Sequence, residues 1–377
     1  MKKQTRTLST LITAAAMLLC AGCSGTKPAE TSASSTEKPA DTSASTEAST
    51  EAVTEKSEDV VDADTGETVE EDPVDSEYPS DPDTVRVSAL KGPTAMGMIN
   101  FMNDSDSDPA SIYDFTVYAA VDEISPLLIK GETDIACVPA NLASVIYNKT
   151  EGEVEVLAVN TLGVIYIVEN GTETVKSVAD LKGKTIYASG KGATPEFALN
   201  YILRQNGIDP ENDVNIEWKT EHAECLTAIT ESEGGIAMLP QPFVTTGMMK
   251  NEGIRVALDL TEEWDKLENG SSMITGVVVA RKEFINAYPD TVTDFMTKYD
   301  ASVAYVNSDV DGAAALIGKY DIVPEAVAKK ALPACNIVFI TGDEMKEKLS
   351  GYLQVLYDSL DTSVGGKLPG DDFYYAG

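Results

Sequence analysis

The sequence predicts an α/β protein whose folded part has two lobes joined by two chain crossings. A strand, a glycine-rich turn and the start of a helix are predicted twice, in VRVSALKGPTAMGM (85–98) and in KTIYASGKGATPEF (184–197). A short apolar strand that ends in proline also occurs twice, as DIACVP (134–139) and GIAMLP (235–240). Helical patterns fill the intervals, and strands that alternate with helices are typical of sheets that are mainly parallel.

The two halves keep the same spacing, and the chain then returns to the first half. We call the proline that ends each short apolar strand the proline corner. From the glycine turn to the proline corner there are 47 residues in the first half (Gly92 to Pro139) and 48 in the second (Gly192 to Pro240). Several helical patterns follow the apolar strand at 273–280, and they are too many to pack on the second half alone. We therefore predict crossings near residues 159–169 and 272–277, which together form a hinge. The predicted helices are 122–129, 141–148, 195–206, 221–232, 290–307, 310–319, 324–331 and 343–359.

These patterns divide the chain into four predicted segments. Residues 1–23 are predicted to be a lipoprotein signal peptide, 24–83 a disordered tether, 84–165 plus 273–377 the first lobe, and 166–272 the second lobe. The signal has basic residues before an apolar run that is too short to span a bilayer, which needs about 20 residues. The run ends in Cys-Ala-Gly-Cys, and we predict that its last residue, Cys23, is the lipidated amino terminus. The alternatives to a lipoprotein are a protein that is secreted without a lipid and a protein that keeps the apolar run as an uncleaved anchor.

The predicted tether is rich in Ser, Thr and Ala and contains 18 acidic and 3 basic residues. Such a segment cannot bury enough apolar surface to offset its chain entropy, so we expect it to be disordered. The whole chain has a formal net charge of −34. Because nucleic-acid binding depends on Lys and Arg at phosphates, no nucleic-acid partner is expected.

The folded part contains three cysteines, Cys137, Cys225 and Cys335. Their odd number excludes complete pairing, and the apolar sequence around Cys137 and Cys335 predicts buried thiols. Their spacing indicates no metal site. No cofactor is expected.

The glycine-rich turns are candidates for ligand contacts. The first has the G-x-x-x-x-G spacing of a phosphate loop, but Met98 and Ile99 follow where such a loop needs Lys and Ser or Thr. A backbone cradle at a helix start remains, which favours a small anionic or polar group. In the second turn, Thr194 is predicted to cap the next helix. The alternative is that both are only tight turns, with Lys91 and Lys191 as ordinary solvated lysines.

His222 is the only histidine and lies in TEHAEC (220–225). It is predicted either to contact a ligand or to stabilise the local structure. Catalysis is not expected, because the chain lacks the G-x-S-x-G and H-E-x-x-H motifs and any zinc-ligand spacing. No catalytic or metal-binding residue is therefore predicted. Trp264 is expected to serve mainly in packing.

Six stretches between residues 84 and 377 together resemble one family of binding proteins. They are ALKGPTAMGM, GETDIACVPANLASVIYNK, VNTLGVIYIVE, DLKGKTIYASGKGATPEF, AMLPQPFVTTGM and CNIVFITGDEM. They resemble the solute-binding lipoproteins of ABC importers, in the nitrate/sulfonate/taurine group, which is similar in fold to thiamine-precursor binding proteins. The resemblance implies a type II periplasmic-binding-protein fold, in which two lobes close over a ligand like a flytrap.

The resemblance also implies which residues contact the ligand in the cleft between the lobes. The first loop, corner and crossing supply Lys91, Gly92, Pro93, Thr94, Pro139, Ala140, Asn141, Asn160 and Thr161. The second loop and corner supply Lys191, Gly192, Ala193, Thr194, Gln241 and Pro242, and His222 is a further candidate. Gln241 stands where Glu is more usual, which leaves the polarity of the ligand open.

The implied function is to capture a small molecule outside the cytoplasm and deliver it to an ABC permease with its ATPase. The protein is expected to be a monomer that its lipid holds at the outer face of the cell membrane. A small organic anion, such as a sulfonate or carboxylate, is the favoured ligand, and a heterocycle of the thiamine-precursor kind is the alternative. An enzyme of the same fold is a second alternative, against which the signal and tether argue. A sensory module without a transporter is a third.

Overall fold

Two β-sheets covered by helices make up residues 82–377, the part of the chain that the computed structural model describes. The predicted signal peptide, Cys23 and nearly all of the predicted tether lie outside the described residues. Both sheets belong to one compact unit. The described strands are β1 (Val85–Leu90), β2 (Tyr113–Tyr118), β3 (Ile135–Pro139), β4 (Val154–Leu162), β5 (Ile165–Asn170), β6 (Thr185–Ala188), β7 (Asn215–Trp218), β8 (Ile236–Pro240), β9 (Ile254–Asp259), β10 (Ile274–Arg281) and β11 (Ile337–Ile340).

The helices confirm the predicted pattern. Each of the eight predicted helices is present, and its ends lie within two residues of the prediction. The α-helices are α1 (Pro93–Met96), α2 (Ile99–Ser107), α3 (Val121–Lys130), α4 (Ala140–Lys149), α5 (Thr194–Gln205), α6 (His222–Thr230), α7 (Phe243–Lys250), α8 (Leu260–Asp265), α9 (Lys282–Ala287), α10 (Pro289–Ser308), α11 (Val310–Lys319), α12 (Glu325–Ala331) and α13 (Gly342–Ser359). Short 3₁₀ helices occur at Val178–Leu181, Leu332–Ala334, Asp361–Val364 and Asp371–Phe373.

The predicted cap of α5 is wrong by one residue. Ala193 is the N-cap, with extended backbone, and Thr194 is already helical. The Thr194 hydroxyl is therefore available for a partner outside its own helix.

The strand directions differ from the prediction, because both sheets are mixed rather than mainly parallel. The first sheet has the order β11-β4-β10-β3-β1-β2 and the second β7-β6-β8-β5-β9. In the first, β10 is antiparallel to both of its neighbours, and in the second, β5 is antiparallel to both of its neighbours. The reason is the route of the chain. The chain enters the second sheet from the first through β5, and it returns to the first sheet through β10. Each of these two strands therefore starts at the edge where most other strands of its sheet end.

The two crossings of the chain between the sheets differ in length. Only Gly163 and Val164 separate β4 from β5, inside the predicted range 159–169. The return crossing lies between the end of β9 and the start of β10 and includes α8. The predicted range 272–277 covers only the end of this crossing and the first residues of β10. The exact boundaries of the lobes, 84–165 plus 273–377 and 166–272, stay a proposal.

Aromatic packing occupies the space beside the return crossing. Trp264 is fully buried, which agrees with the predicted packing role, and its indole N–H donates to the Ser271 hydroxyl at 3.1 Å. Its ring lies between those of Tyr201, with centroids 4.8 Å apart, and Tyr352, 5.5 Å apart. α13 thus packs its Tyr352 against a residue of the crossing.

Cys137, Cys225 and Cys335 are free and buried, and the burial confirms the prediction for Cys137 and Cys335. Burial raises the pKa of the Cys137 and Cys335 thiols to about 12 each. They remain protonated in ordinary buffers and act as small apolar side chains.

A buried carboxylate on β5 connects the edge strand β9 of the second sheet to the loop after β5. Glu169 is fully buried and accepts hydrogen bonds from the hydroxyls of Thr172 and Thr174, and from the Thr174 N–H at 3.0 Å. Arg255 on β9 donates to the same carboxylate at 2.5 Å. Burial by itself would raise the pKa of Glu169, but the hydrogen bonds from Thr172 and Thr174 outweigh it and lower this pKa to about 2.

Candidate ligand-binding site

The carboxyl-terminal edges of the two sheets face each other. β1, β2 and β3 run parallel, as do β6, β7 and β8. Since β4 passes into β5 over two residues, the edge at which β4 ends adjoins the edge at which β5 begins. In open α/β sheets this is the edge at which ligands bind, because strand ends and helix starts converge there. All sixteen predicted ligand contacts lie at or near these edges, and their role in binding stays a prediction.

On the first sheet, the predicted contacts follow β1 and β3. Thr94 is buried, and its hydroxyl donates to the Leu90 carbonyl at 2.7 Å. Lys91 is exposed, with its Nζ 3.7 Å from the carboxylate of Asp321. Asn141 is buried in the first turn of α4. The other predicted residues of these two corners are Gly92, Pro93, Pro139 and Ala140.

On the second sheet, the predicted contacts follow β6 and β8. Lys191 and Gly192 are exposed, whereas Thr194 is buried. Gln241 is buried, and its side-chain oxygen accepts a hydrogen bond from the Thr245 hydroxyl at 2.9 Å. The adjoining residues Ala193 and Pro242 complete the predicted set at these two corners.

The two edges are in direct contact through two of the predicted residues. The Thr194 hydroxyl donates to the side-chain oxygen of Asn141 at 3.1 Å, in a buried position. The amide nitrogen of Asn141 donates to the Ser363 carbonyl at 3.2 Å, which holds the acceptor in place. A second contact joins the sheets where the Tyr166 hydroxyl donates to the Ala334 carbonyl at 3.2 Å. We call the Thr194–Asn141 hydrogen bond the inter-lobe clasp.

His222 begins α6 at the same edge of the second sheet. Its Nδ1 lies 2.5 Å from the Ser189 hydroxyl oxygen, and its ring centroid lies 5.1 Å from that of Phe243. Burial lowers the pKa of the imidazole to about 4, so the ring is neutral at pH 7. A neutral imidazole has one donor and one acceptor nitrogen, and the contact with Ser189 engages one of them.

Asn160 and Thr161 are fully buried on β4, next to β10. The Thr161 hydroxyl donates to the Asn160 side-chain oxygen at 3.0 Å. Burial raises the pKa of the neighbouring Cys137 thiol and Tyr299 hydroxyl, and hydrogen bonds from the Asn160 side chain oppose that rise. β10 passes this pair at Gly276, where a Cβ would come within 2.6 Å of the Asn160 oxygen and 2.7 Å of a Thr94 methyl. Close approach of the backbone therefore requires glycine here.

Several residues at these edges were not predicted. Ser189 and Glu196 lie in the quoted second loop, and Phe243 directly follows the second corner, so their positions could have been found by extending the same motif. Ser363 and Tyr352 come from the carboxyl-terminal part of the chain. No pattern in the sequence connects them with the glycine turns.

Cavities elsewhere on the described surface do not include these residues. Four of them, of about 360, 430, 390 and 540 Å³, are lined by none of the predicted ligand contacts. Within residues 82–377, no group of three or more His, Cys, Asp or Glu side chains could hold a metal ion. No helix of the described part is long and apolar enough to cross a membrane.

Comparison with known proteins gives one family and many similar structures. The sequence model of the family described as NMT1/THI5 like matches residues 114–313. No curated protein sequence matches the chain significantly. A solved structure described as an ABC transporter from Parabacteroides distasonis is 22% identical with a TM-score of 0.66, and the match covers 78% of this chain and 99% of that one.

Two further structures show the same similarity. The periplasmic aliphatic sulphonate binding protein SsuA from Escherichia coli is 17% identical with a TM-score of 0.65, and the match covers 78% of this chain and 92% of that one. The ligand-binding component of an ABC-type import system from Staphylococcus aureus is 14% identical with a TM-score of 0.61, covering 78% and 97%. At these identities the similarity shows a shared fold, and the predicted two-lobed binding-protein fold is confirmed.

Proposed function

The chain belongs to the NMT1/THI5-like family, whose sequence model covers more than half of it, and from this premise we propose that it is the solute-binding protein of an ABC importer. It captures a small molecule between its lobes, outside the cytoplasm, and delivers it to a permease that works with an ATPase. The observation that carries the proposal is the arrangement of two polar strand-end edges face to face, joined by two crossings. The similar structures described as parts of ABC import systems support the same role.

We propose binding rather than catalysis, with no cofactor. The similar structures are described as transport or ligand-binding proteins. We further propose that the signal peptide is removed, that Cys23 bears the lipid, and that residues 24–83 connect the anchor to a monomeric binding unit. A coil of that length has a reach of roughly 45 Å, enough to let the binding unit approach a permease from the membrane surface.

For the ligand, two chemical classes are in competition. A small organic anion is favoured by the E. coli protein that is named for aliphatic sulphonates. An uncharged heterocycle is favoured by the neutral side chains that line the facing edges, Asn141, Asn160, Thr194 and Gln241. Both classes are compatible with the proposed transport function.

The test is to identify what the protein retains. Protein purified without denaturant is unfolded, and the released small molecules are identified by mass spectrometry. The protein is then refolded and titrated with each candidate by calorimetry. We expect binding of one molecule per chain.

Small-angle scattering then checks lobe closure. We expect a smaller radius of gyration when a candidate binds, because the lobes close by bending at the two crossings. The refolded protein without additive serves as the control. If no small molecule is retained, and no transported class of compound binds the refolded protein, the proposed function is wrong.

A further inference from the structure

Two side chains of α4 hold a later segment of the chain along that helix. We call this segment, residues 361–375, the strap. The Ser144 hydroxyl donates to the Val364 carbonyl at 2.7 Å, and the Asn148 amide donates to the same carbonyl at 2.8 Å and to the Lys367 carbonyl at 2.7 Å. Asn148 thereby uses both hydrogens of its amide, and this part of the strap follows the surface of α4.

The strap also approaches α4 closely enough to require glycine. Gly365 has a φ of 91°, in the left-handed region that favours this residue. A Cβ there would come within 3.0 Å of the Asn148 amide nitrogen and 3.1 Å of the Val145 Cα. The neighbouring Val364 is fully buried. The position of the strap on α4 is therefore set by shape as well as by hydrogen bonds.

A second set of contacts holds the other end of the strap. The Tyr147 hydroxyl donates to the Asp372 carboxylate at 2.6 Å, and the Phe373 ring meets the Tyr147 ring edge-on, with centroids 5.1 Å apart. The backbone N–H of Tyr375 donates to the Val156 carbonyl of β4 at 3.0 Å. Both α4 and β4 lie on the side of the first sheet, so these contacts fix the strap to that side.

The Ser363 carbonyl of the strap determines which way the Asn141 amide points. It accepts from the Asn141 nitrogen at 3.2 Å. Asn141 lies on the same face of α4 as Ser144 and Asn148, three and seven residues before them. A primary amide has one donor end and one acceptor end. Turning it over would bring the Asn141 oxygen against the Ser363 carbonyl oxygen, so the strap favours the orientation in which the Asn141 oxygen faces Thr194.

That orientation is the one that the inter-lobe clasp uses. Thr194, on the side of the second sheet, donates to the Asn141 oxygen at 3.1 Å. A hydroxyl that donates once can still accept, and Tyr352 of α13 is hydrogen-bonded with Thr194. Since α13 leads into the strap, the strap and the helix before it together contact both partners of the clasp.

We propose that Ser144 and Asn148 are positioning residues of the cleft. By holding the strap on α4, they keep the Ser363 carbonyl on the Asn141 nitrogen and so present the Asn141 oxygen to the opposite lobe. The strap thereby sets what fraction of the protein is closed before a solute arrives. The inference rests on the proposed transport function, to which it adds a control of lobe closure from one side of the cleft.

The expected effect is a partial loss of one hydrogen bond. An amide that is already oriented loses no further rotational freedom when the clasp forms. Once the strap is loosened, the Asn141 amide can turn over or bind water, and the clasp becomes weaker. One hydrogen bond changes a two-state equilibrium by about 2- to 10-fold, so a partial loss should give a change of about 2- to 5-fold.

The first experiment measures the open fraction by single-molecule fluorescence transfer between dyes on the two lobes, after retained molecules are removed by unfolding and refolding. Asn148→Ala removes two hydrogen bonds from a half-buried position, so this variant should remain folded. We expect its open fraction to be about 2- to 5-fold that of the wild type, and the addition of Ser144→Ala should raise it further. An unchanged open fraction in both variants overturns the inference; if only Asn148→Ala folds, its result decides.

The matched control is Tyr147→Phe. It removes the hydrogen bond to Asp372 at the other end of the strap and keeps the ring that packs on Phe373. Urea unfolding should show a loss of stability in this variant as in Asn148→Ala, but we expect its open fraction to equal that of the wild type. If Tyr147→Phe opens the lobes as much as Asn148→Ala does, the strap acts only through general stability, and Ser144 and Asn148 are not positioning residues.

A double-mutant cycle with Thr194→Val tests whether the strap acts through the clasp. Two changes that act through the same hydrogen bond do not have additive effects. Asn148→Ala should therefore raise the open fraction of the wild type and leave that of Thr194→Val unchanged. Effects that multiply would show that strap and clasp are independent, and the inference would be wrong. Lobes that keep one fixed distance in all four proteins would also overturn it.

These measurements need no added solute, so a failure of the inference can be told from a failure of the transport function. If the protein binds the molecule that mass spectrometry finds in it but shows no coupling between strap and clasp, the inference alone is overturned. If the coupling is present but no compound binds, the transport function is overturned, and the control of lobe closure by the strap stands.

Discussion

Glu169 should make the stability of this protein depend on pH in a calculable way. The pKa of a glutamate is ordinarily 4.5, and in the folded protein that of Glu169 is lowered to about 2. A difference of one in pKa corresponds to about 1.36 kcal/mol, so the buried carboxylate contributes about 3 kcal/mol to the free energy of unfolding at neutral pH. Because the folded-state pKa is the lower one, this contribution is complete above pH 4.5 and is lost as the pH falls towards 2.

The perturbation is Glu169→Gln, and the assay is urea unfolding followed by tryptophan fluorescence between pH 7 and pH 3. For the wild-type protein, about 2 kcal/mol of the contribution should disappear over this range. Glu169→Gln should lower the free energy of unfolding by about 3 kcal/mol at pH 7, and the difference from wild type should shrink at pH 3. The control is Glu252→Gln, which changes an exposed glutamate of the same lobe. A wild-type-to-Gln difference that stays constant from pH 7 to pH 3 would refute the reasoning.

The remaining predictions concern the anchor, the clasp and the hinge. Cys23→Ala should release the protein into the medium, and a variant that stays membrane-bound and labelled by fatty acid would argue against lipidation. Thr194→Val removes the donor to Asn141, and one such hydrogen bond is worth about 0.5–1.5 kcal/mol. The open fraction of ligand-free protein should therefore rise about 2- to 10-fold, as single-molecule fluorescence transfer between the lobes would show; an unchanged distribution would count against the clasp. Gly276→Ala forces a Cβ to within 2.6 Å of the Asn160 oxygen and should lower the free energy of unfolding by about 1–3 kcal/mol. An unchanged urea midpoint would mean that β10 can shift away.

The sequence was sufficient wherever a structure depends on residues that are close along the chain. Eight of the thirteen α-helices in the described part could be placed to within two residues, because apolar periodicity and turn residues act over a few positions. The buried thiols of Cys137 and Cys335 followed from the apolar sequence around them, and the packing of Trp264 followed from the general tendency of Trp to be buried. The repeat of glycine turn and proline corner pointed to the strand ends where the candidate site lies.

Only the tertiary structure decided which groups face each other and how their charges are used. The reversed direction of β5 and β10 depends on the sheet from which the chain arrives, which no local pattern records. The clasp joins residues 53 apart, and the Ser363 carbonyl that orients Asn141 is 222 residues away from it. The Gly192 N–H donates to the carboxylate of Glu196, only four residues away, yet the motif predicted an anion cradle, because a glycine turn at a helix start has the same sequence whether its amide is free or occupied. Hydrogen bonds depend on distance in space, and a side chain that bends back onto its own turn changes the chemistry of a site without changing its sequence pattern.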